Sequence, residues 1–123
     1  MRAYILKKGA IIMKMIKINN RQLVMKFPTR VINMMNLEGI TIKSISESLK
    51  DNFDTSKLNK AFYYSLISMQ KDITEDEAYD LLDMWVEEGK DGEEIQQEVI
   101  GELMTAMGFK KQFKEMIENN KQA

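Results

Sequence analysis

Carboxylates are the most abundant groups in this sequence that could do chemistry. Thirteen of them lie between Asp72 and Glu102, where Lys90 is the single base. A pair of carboxyl groups performs acid–base catalysis when both lie in a cleft that drives their pKa values apart. These acids instead recur at the starts and on the polar faces of predicted helices, which is typical of solvated helix surface. We therefore expect no catalytic carboxylate pair.

One acidic stretch has part of the spacing of a calcium-binding loop. Residues 87–98 place Gly92 at the sixth position and Glu98 at the twelfth. The third position, which must supply an oxygen ligand, is Gly89, and Lys90 adds an opposing charge. We predict a turn between two acid-capped helices here, and no metal site.

Two residue types that carry much protein chemistry are missing from the sequence, which has no cysteine and no histidine. The chain therefore has no thiol nucleophile, no thiolate ligand, and neither the commonest general base nor the commonest metal ligand. Six glycines and one proline leave no room for a glycine-rich phosphate loop. We expect a protein that is not an enzyme and that takes no cofactor.

Methionine is the unusual residue type, at 11 of 123 positions. Its side chain is flexible and polarizable, and it is over-used on surfaces that accept varied apolar partners. The same property suits it to filling a core, so a single methionine decides nothing. Together with Trp85, Phe109 and Phe113 near the C-terminus, the methionines predict an apolar groove that binds a partner helix.

The net charge is −1, but the charged residues are distributed unevenly along the chain. Residues 1–70 carry 12 bases and 4 acids, a net of +8, and residues 71–123 carry 6 bases and 15 acids, a net of −9. This asymmetry favours an oriented partner or self-association through the opposite-charge halves, and it disfavours nucleic acid because the acidic half repels phosphate. An acidic face that keeps the protein soluble explains the same pattern.

The elements that must position these residues begin with a β-hairpin. Two β-prone runs, 15–18 and 21–27, flank Asn19 and Asn20, and asparagine tolerates the positive φ of two-residue turns. Pro28 ends the second strand. A lone hairpin is only marginally stable, so we expect it to lie against the helices that follow.

Helical periodicity replaces the strand pattern after Pro28. A short helix from about 29 to 37 stops at Gly39, Thr41 opens the next, and Asp54 is the predicted N-cap of a third. A capping box at 74–77 opens one longer helix, a cap at 91–94 opens the next, and a last short helix follows Gly108. The predicted fold is mainly α (α+β), an N-terminal β-hairpin followed by about six short amphipathic helices packed as one domain. At 123 residues, 44% hydrophobic and 30% charged, the chain suffices for one such domain with its own core.

The order of these elements, with the spacing of the caps, resembles the tail assembly chaperones of long-tailed bacteriophages, in particular the group from phages and prophages of Gram-positive bacteria. The resemblance covers about residues 13–118. It is carried by Met-Ile-Lys-Ile-Asn-Asn at 15–20, Ile-Thr-Glu-Asp-Glu-Ala-Tyr-Asp-Leu-Leu-Asp at 73–83, Glu-Glu-Gly-Lys-Asp at 87–91, Glu-Val-Ile-Gly-Glu-Leu-Met at 98–104 and Gly-Phe at 108–109.

The resemblance implies a non-enzymatic assembly factor in the cytoplasm of the infected cell that is absent from the finished virion. Its main partner would be the aggregation-prone, helical tape measure protein, and its second the tail tube subunits that it helps to recruit. A frameshift extends a minority of copies in many such phages, and this chain would be the short form. The residues expected to contact the partner are Met84, Trp85, Met104, Met107, Phe109, Phe113 and Met116.

A second interpretation retains the predicted acidic helices but does not assume a role in phage assembly. On that view the chain is a small acidic helical adaptor or regulator of a host or phage protein, and the neighbouring genes would distinguish the two. Neither interpretation involves a membrane, because no window approaches the roughly 18 apolar residues that a spanning helix needs.

The two ends of the chain are expected to lie outside this domain. Lys8, Gly9 and Ala10 are encodable as a purine-rich ribosome-binding site shortly before Met13. We therefore expect the natural start at Met13 or Met15, with residues 1–12 a translated leader that is not part of the family pattern. Residues 119–123 are expected to form a frayed tail.

Overall fold

The computed structural model describes residues 5–6, 9–10 and 13–122, with side chains described for residues 13–119. Its strands are β1 (Ile5–Leu6), β2 (Gly9–Ala10), β3 (Met13–Ile18) and β4 (Arg21–Lys26). Its helices are α1 (Thr29–Leu37), α2 (Ile42–Asn52), α3 (Ser56–Ile67), α4 (Glu75–Glu87), α5 (Gly92–Ala106) and α6 (Lys110–Gln122). The predicted fold class is confirmed, since over the described residues the β3–β4 hairpin precedes six helices in one mainly α domain.

The hairpin forms where the two asparagines predict it. Asn19 and Asn20 have φ values of 52° and 62°, and the strands pair antiparallel with Ile18 opposite Arg21. Positive φ at both turn residues is what a type I′ hairpin turn requires. Successive side chains alternate between the two faces of the hairpin, so the buried Ile16, Ile18, Leu23 and Met25 all face the helices.

Local signals in the sequence also set the helix starts. Thr74 and Glu77 form the predicted capping box of α4, and the predicted cap of α5 is likewise a capping box, between Asp91 and Glu94. The start of α3 differs slightly from the prediction. The N-cap is Thr55, while the Asp54 carboxylate accepts hydrogen bonds from the Ser56 N–H at 2.9 Å and its hydroxyl at 2.7 Å. Both arrangements satisfy an otherwise free N–H in the first turn.

Helix α3 lies at the centre of the domain, where it packs against β4, α1, α2, α4 and α5. Its Phe62 and Leu66 are fully buried. Just beyond α3, the Gln70 side chain accepts a hydrogen bond from the Val24 N–H at 2.7 Å and donates one to the Val24 carbonyl at 3.0 Å. The Gln70 amide therefore makes the hydrogen bonds to Val24, at the outer edge of β4, that a neighbouring strand would otherwise make.

Ion pairs join the basic and acidic halves of the chain within one molecule. Lys60 lies 3.0 Å from Glu75, Arg21 lies 3.6 Å from Glu77, and Lys14 pairs with Glu98. Part of the charge complementarity that suggested self-association is therefore satisfied inside the fold. The proposed contact between copies stays a prediction.

The predictions for the chain ends fall mostly outside the described residues. Of residues 1–12, the structure describes only the short antiparallel pairing of β1 with β2, so the leader prediction is not addressed. At the other end, α6 continues to Gln122, and the predicted fraying from residue 119 stays a prediction. Over the described parts of the chain, none of the helices combines the length and apolar character needed to cross a bilayer.

Candidate partner-binding groove

An open groove with a cavity volume of about 660 Å³ lies between α6 on one side and α2, α3 and α4 on the other. Its floor is α5. Most of its wall is apolar, formed by Leu49, Phe53, Leu58, Leu82, Val86, Ile95, Ile100, Phe113, Met116 and Ile117. This concavity, here called the groove, is the candidate functional site.

Helix α6 leaves the groove open because it packs mainly against α5. The Phe113 ring lies directly over Gly101, where an added Cβ would come within 2.6 Å of its Cε2 atom. A second cavity of about 370 Å³ lies on the other flank of α6 and shares Gln97, Phe113 and Ile117 with the groove. The described part of α6 therefore has a cavity on each flank, and its Phe113 ring packs against α5 at Gly101.

Apolar side chains at the rim of the groove face solvent. Phe53 is 89% exposed, Val86 55% and Met116 48%. Leaving such surface in water forgoes about 25 cal/mol for each Å² that burial would remove. Exposed apolar side chains gathered around one concavity are characteristic of a surface that another molecule covers.

The backbone of Phe53 adds a second unfavourable feature at the same place. Its φ is 52°, and it follows the last residue of α2, a position that glycine usually occupies. Its N–H donates to the Leu49 carbonyl at 3.2 Å, and the Asp54 N–H donates to the Ser48 carbonyl at 3.0 Å. An aromatic residue held in the left-handed region costs on the order of 1 kcal/mol, and such strain concentrates at functional positions.

The charged residues in the groove are all acidic. Asp83 and Glu93 line it, and among the described residues that form its wall there is no lysine or arginine. Tyr79 also lines the groove and donates a hydrogen bond from its hydroxyl to Glu75 Oε2 at 2.7 Å. Burial, aided by that carboxylate, raises the pKa of Tyr79 to about 12, so the phenol stays neutral at physiological pH.

The smaller cavity beside α6 holds a network of opposite charges. Glu98 accepts a hydrogen bond from Lys90 at 2.9 Å and pairs with Lys14. Burial raises the pKa of the Glu102 carboxyl, an effect that the positive charges of Lys14 and Lys110 oppose. Burial likewise lowers the pKa of Lys14. Over the described residues, no three acidic side chains are grouped so as to hold a metal ion.

The seven residues predicted to contact a partner occupy three different environments. Phe113 and Met116 line the groove. Met107 and Phe109, each 43% exposed, lie at the turn between α5 and α6 and do not line it.

The other three predicted contact residues pack inward. Trp85 and Met104 are only 6% and 7% exposed, and Met84 is half-buried against the same core. The Trp85 ring packs 5.9 Å from that of Phe62, and the Lys90 ammonium lies 5.1 Å from its centroid. In this conformation Trp85 and Met104 contribute to the core and present almost no surface to a partner.

Sequence reasoning missed the wall opposite α6, above all Phe53 and Val86. Phe53 continues the stripe of Ile45 and Leu49 at a spacing of four, and a residue that faces the core has the same spacing. Val86 carries a usable signal, because it is an apolar residue outside the stripe of α4 that ends at Trp85. An apolar residue outside the buried stripe points to a partner surface where other exposed apolar residues lie beside it, as Phe53 and Met116 do in the groove.

Comparison with protein-family models, with curated proteins and with solved structures returned no match to the chain. The groove and the residues that carry the resemblance are therefore the basis for proposing a function.

Proposed function

We propose that the chain is a non-enzymatic assembly chaperone of the phage tail type, which holds an amphipathic helix of the tape measure protein in the groove. The observation that carries the proposal is the open apolar groove, with Phe53 and Val86 exposed at its rim. A binding role requires no catalytic group, and the groove offers an apolar surface that water covers poorly.

The dimensions of the groove favour a helix as its occupant. A helix with its side chains is about 10 Å wide, so a cavity of about 660 Å³ holds the apolar side chains of one helix face. The polar face of such a helix would stay in water. Helix-in-groove recognition works in this way, with anchors at positions i, i+3, i+4 and i+7 of the bound segment.

The resemblance supplies the identity of the partner. A tape measure protein exposes long amphipathic helices before the tail forms around it, and these helices aggregate unless they are covered. Several copies of this chain, each covering one helical segment, would keep the tape measure soluble in the host cytoplasm. They would leave as tail tube subunits are recruited, so the chaperone is absent from the finished virion.

Co-expression with the tape measure protein of the same genome tests the proposal. We expect the chain to raise the soluble yield of the long protein and to co-purify with it. Phe53→Ser removes an apolar group from the rim of the groove, and we expect that variant to lose co-purification. Leu37→Ser is the matched control, because Leu37 is also 89% exposed and lies outside the groove.

Two outcomes would contradict the proposal in different ways. If the tape measure protein stays insoluble both with the unaltered chain and with a frameshifted longer form, the partner is wrong, and the adaptor interpretation gains support. If Leu37→Ser abolishes co-purification while Phe53→Ser does not, the partner binds elsewhere on the chain.

A further inference from the structure

The wall of the groove that α4 forms carries negative charge and no positive charge among the described residues. Asp83 lines the groove from α4, and Glu93 lines it from the start of α5. Asp76, Asp80 and Glu87 extend the negative charge along α4, at spacings of four, three and four when Asp83 is included. Residues three and four apart share one face of a helix, and all four of these acids are exposed.

Helix α6 shows which kind of helix already lies against this part of the molecule. It places Phe113, Met116 and Ile117, at spacings of three and one, in the groove. Lys110 and Lys114 border this apolar face on the flank away from the groove, whereas Glu115 and Glu118 lie on the opposite side of α6.

Two lysines of α6 lie in the same cavity as carboxylates of α5, on the flank of α6 away from the groove. Lys110 and Lys114 line the smaller cavity together with Glu98 and Glu102. The charge of Lys110 acts to lower the pKa of the Glu102 carboxyl. An apolar helix face flanked by lysine is therefore a combination that this domain already accommodates within itself.

We propose that the groove selects helices whose apolar face is flanked by lysine or arginine and rejects those flanked by acids, an inference that rests on the proposed function. The apolar wall supplies the attraction common to both kinds of helix. Asp83 and Glu93 supply the discrimination, because like charges placed at a shared interface repel each other and opposite charges attract. The preferred occupant is thus a basic amphipathic segment of the partner.

Two labelled helical peptides of 18 residues test the selection with the full chain. Both carry leucine at the same i, i+3, i+4 and i+7 positions, and they differ only in having lysine or glutamate beside that face. We expect the lysine peptide to bind at least tenfold more tightly at 50 mM salt by fluorescence anisotropy. The preference should shrink at 500 mM salt, where charges are screened within a few ångströms.

A pair of charge variants locates the source of the selection. Asp83→Asn with Glu93→Gln removes the two acids that line the groove, and we expect the preference to fall severalfold. Asp72→Asn with Glu115→Gln is the control, because both of these acids are exposed and neither lines the groove, and it changes the net charge equally. If the control pair lowers the preference as much, the groove carboxylates do not select, and the inference is overturned.

The peptide results also separate this inference from the proposed function. If both peptides bind equally well, charge selection is wrong, while helix binding by the groove stands. If neither peptide binds, helix-in-groove binding itself is contradicted, and the inference falls with it.

Discussion

Helix α5 has two contrasting sides. On one side, the hairpin and α3 cover it, and Ile18, Leu23, Phe62 and Val99 have no exposed surface. On the other side, α6 rests on it through Phe113, with a cavity along each flank. The first side is packed as a protein interior should be, and the second leaves apolar surface without a cover.

The contrast leads us to expect that the residues for stability and those for the proposed binding lie on different sides of one helix. Removing atoms from the packed side should lower the free energy of unfolding and leave helix binding by the groove unchanged. Removing atoms from the open side should weaken binding at little cost to folding. Three predictions use this separation, from the largest expected effect on stability to the smallest.

The largest effect is expected from Phe62→Ala on the packed side. Phe62 is fully buried and packs against Trp85, so its truncation should lower the free energy of unfolding by about 3–5 kcal/mol. Phe53→Ala removes the same atoms from the rim of the groove and should change that quantity by no more than about 0.5 kcal/mol. Urea denaturation measures both. Equal losses in the two variants would contradict the division between the two sides.

An intermediate and local effect is expected from Gly101→Ala. The new methyl group would overlap the Phe113 ring, so the ring must shift, and we expect the attachment of α6 to α5 to weaken. Overpacking of this kind costs about 1–3 kcal/mol, and here the cost falls on the docking of α6. Hydrogen exchange should become faster in α6 and stay unchanged in α3.

The alanine itself has an opposite influence, because it favours a helix interior over glycine by about 1 kcal/mol. Gly101→Ala in a chain that also carries Phe113→Ala is therefore the control. Without the ring to displace, the substitution should stabilise α5. Unchanged exchange in α6 for the single variant would show that Phe113 does not hold that helix.

The smallest effect is expected from Glu102→Gln, and it depends on pH. Burial raises the pKa of Glu102 in the folded state, so over the pH range between the unfolded and folded pKa values the folded chain holds a proton that the unfolded chain has lost. Stability is therefore expected to fall as pH rises through that range. Glutamine cannot ionise, so the free energy of unfolding of the variant should not show this fall with pH. At pH values above that range, the variant should therefore be more stable relative to the unaltered chain. Stability curves that stay parallel from pH 4 to pH 8 would contradict the assignment.

The sequence predicts the elements of the fold well because their signals are local. Asn19 and Asn20 carry the turn, and the boxes at Thr74 and Asp91 start their helices where predicted. Each of these signals acts within about four residues of chain, so no knowledge of packing is needed to use it.

The groove could not be predicted in the same way, because it depends on how the helices pack. Trp85 and Phe113 both lie on apolar helix stripes, yet the first is buried and the second borders an open cavity. A stripe that faces the core and a stripe that faces a partner have the same periodicity. Only the three-dimensional arrangement, in which the Phe113 ring packs against Gly101 at the side of α5, distinguishes a stripe that faces the core from one that faces a partner.

The methionines that first suggested a partner surface provide the most direct test of it. We would label their methyl groups with carbon-13 and titrate the full chain with the lysine-flanked peptide by NMR. The account predicts that the Met116 signal shifts to saturation, while Met34 and Met69, which are comparably exposed and lie outside the groove, stay in place. Saturable shifts at Met34 or Met69 with Met116 unmoved would contradict the claim that the groove is the binding site.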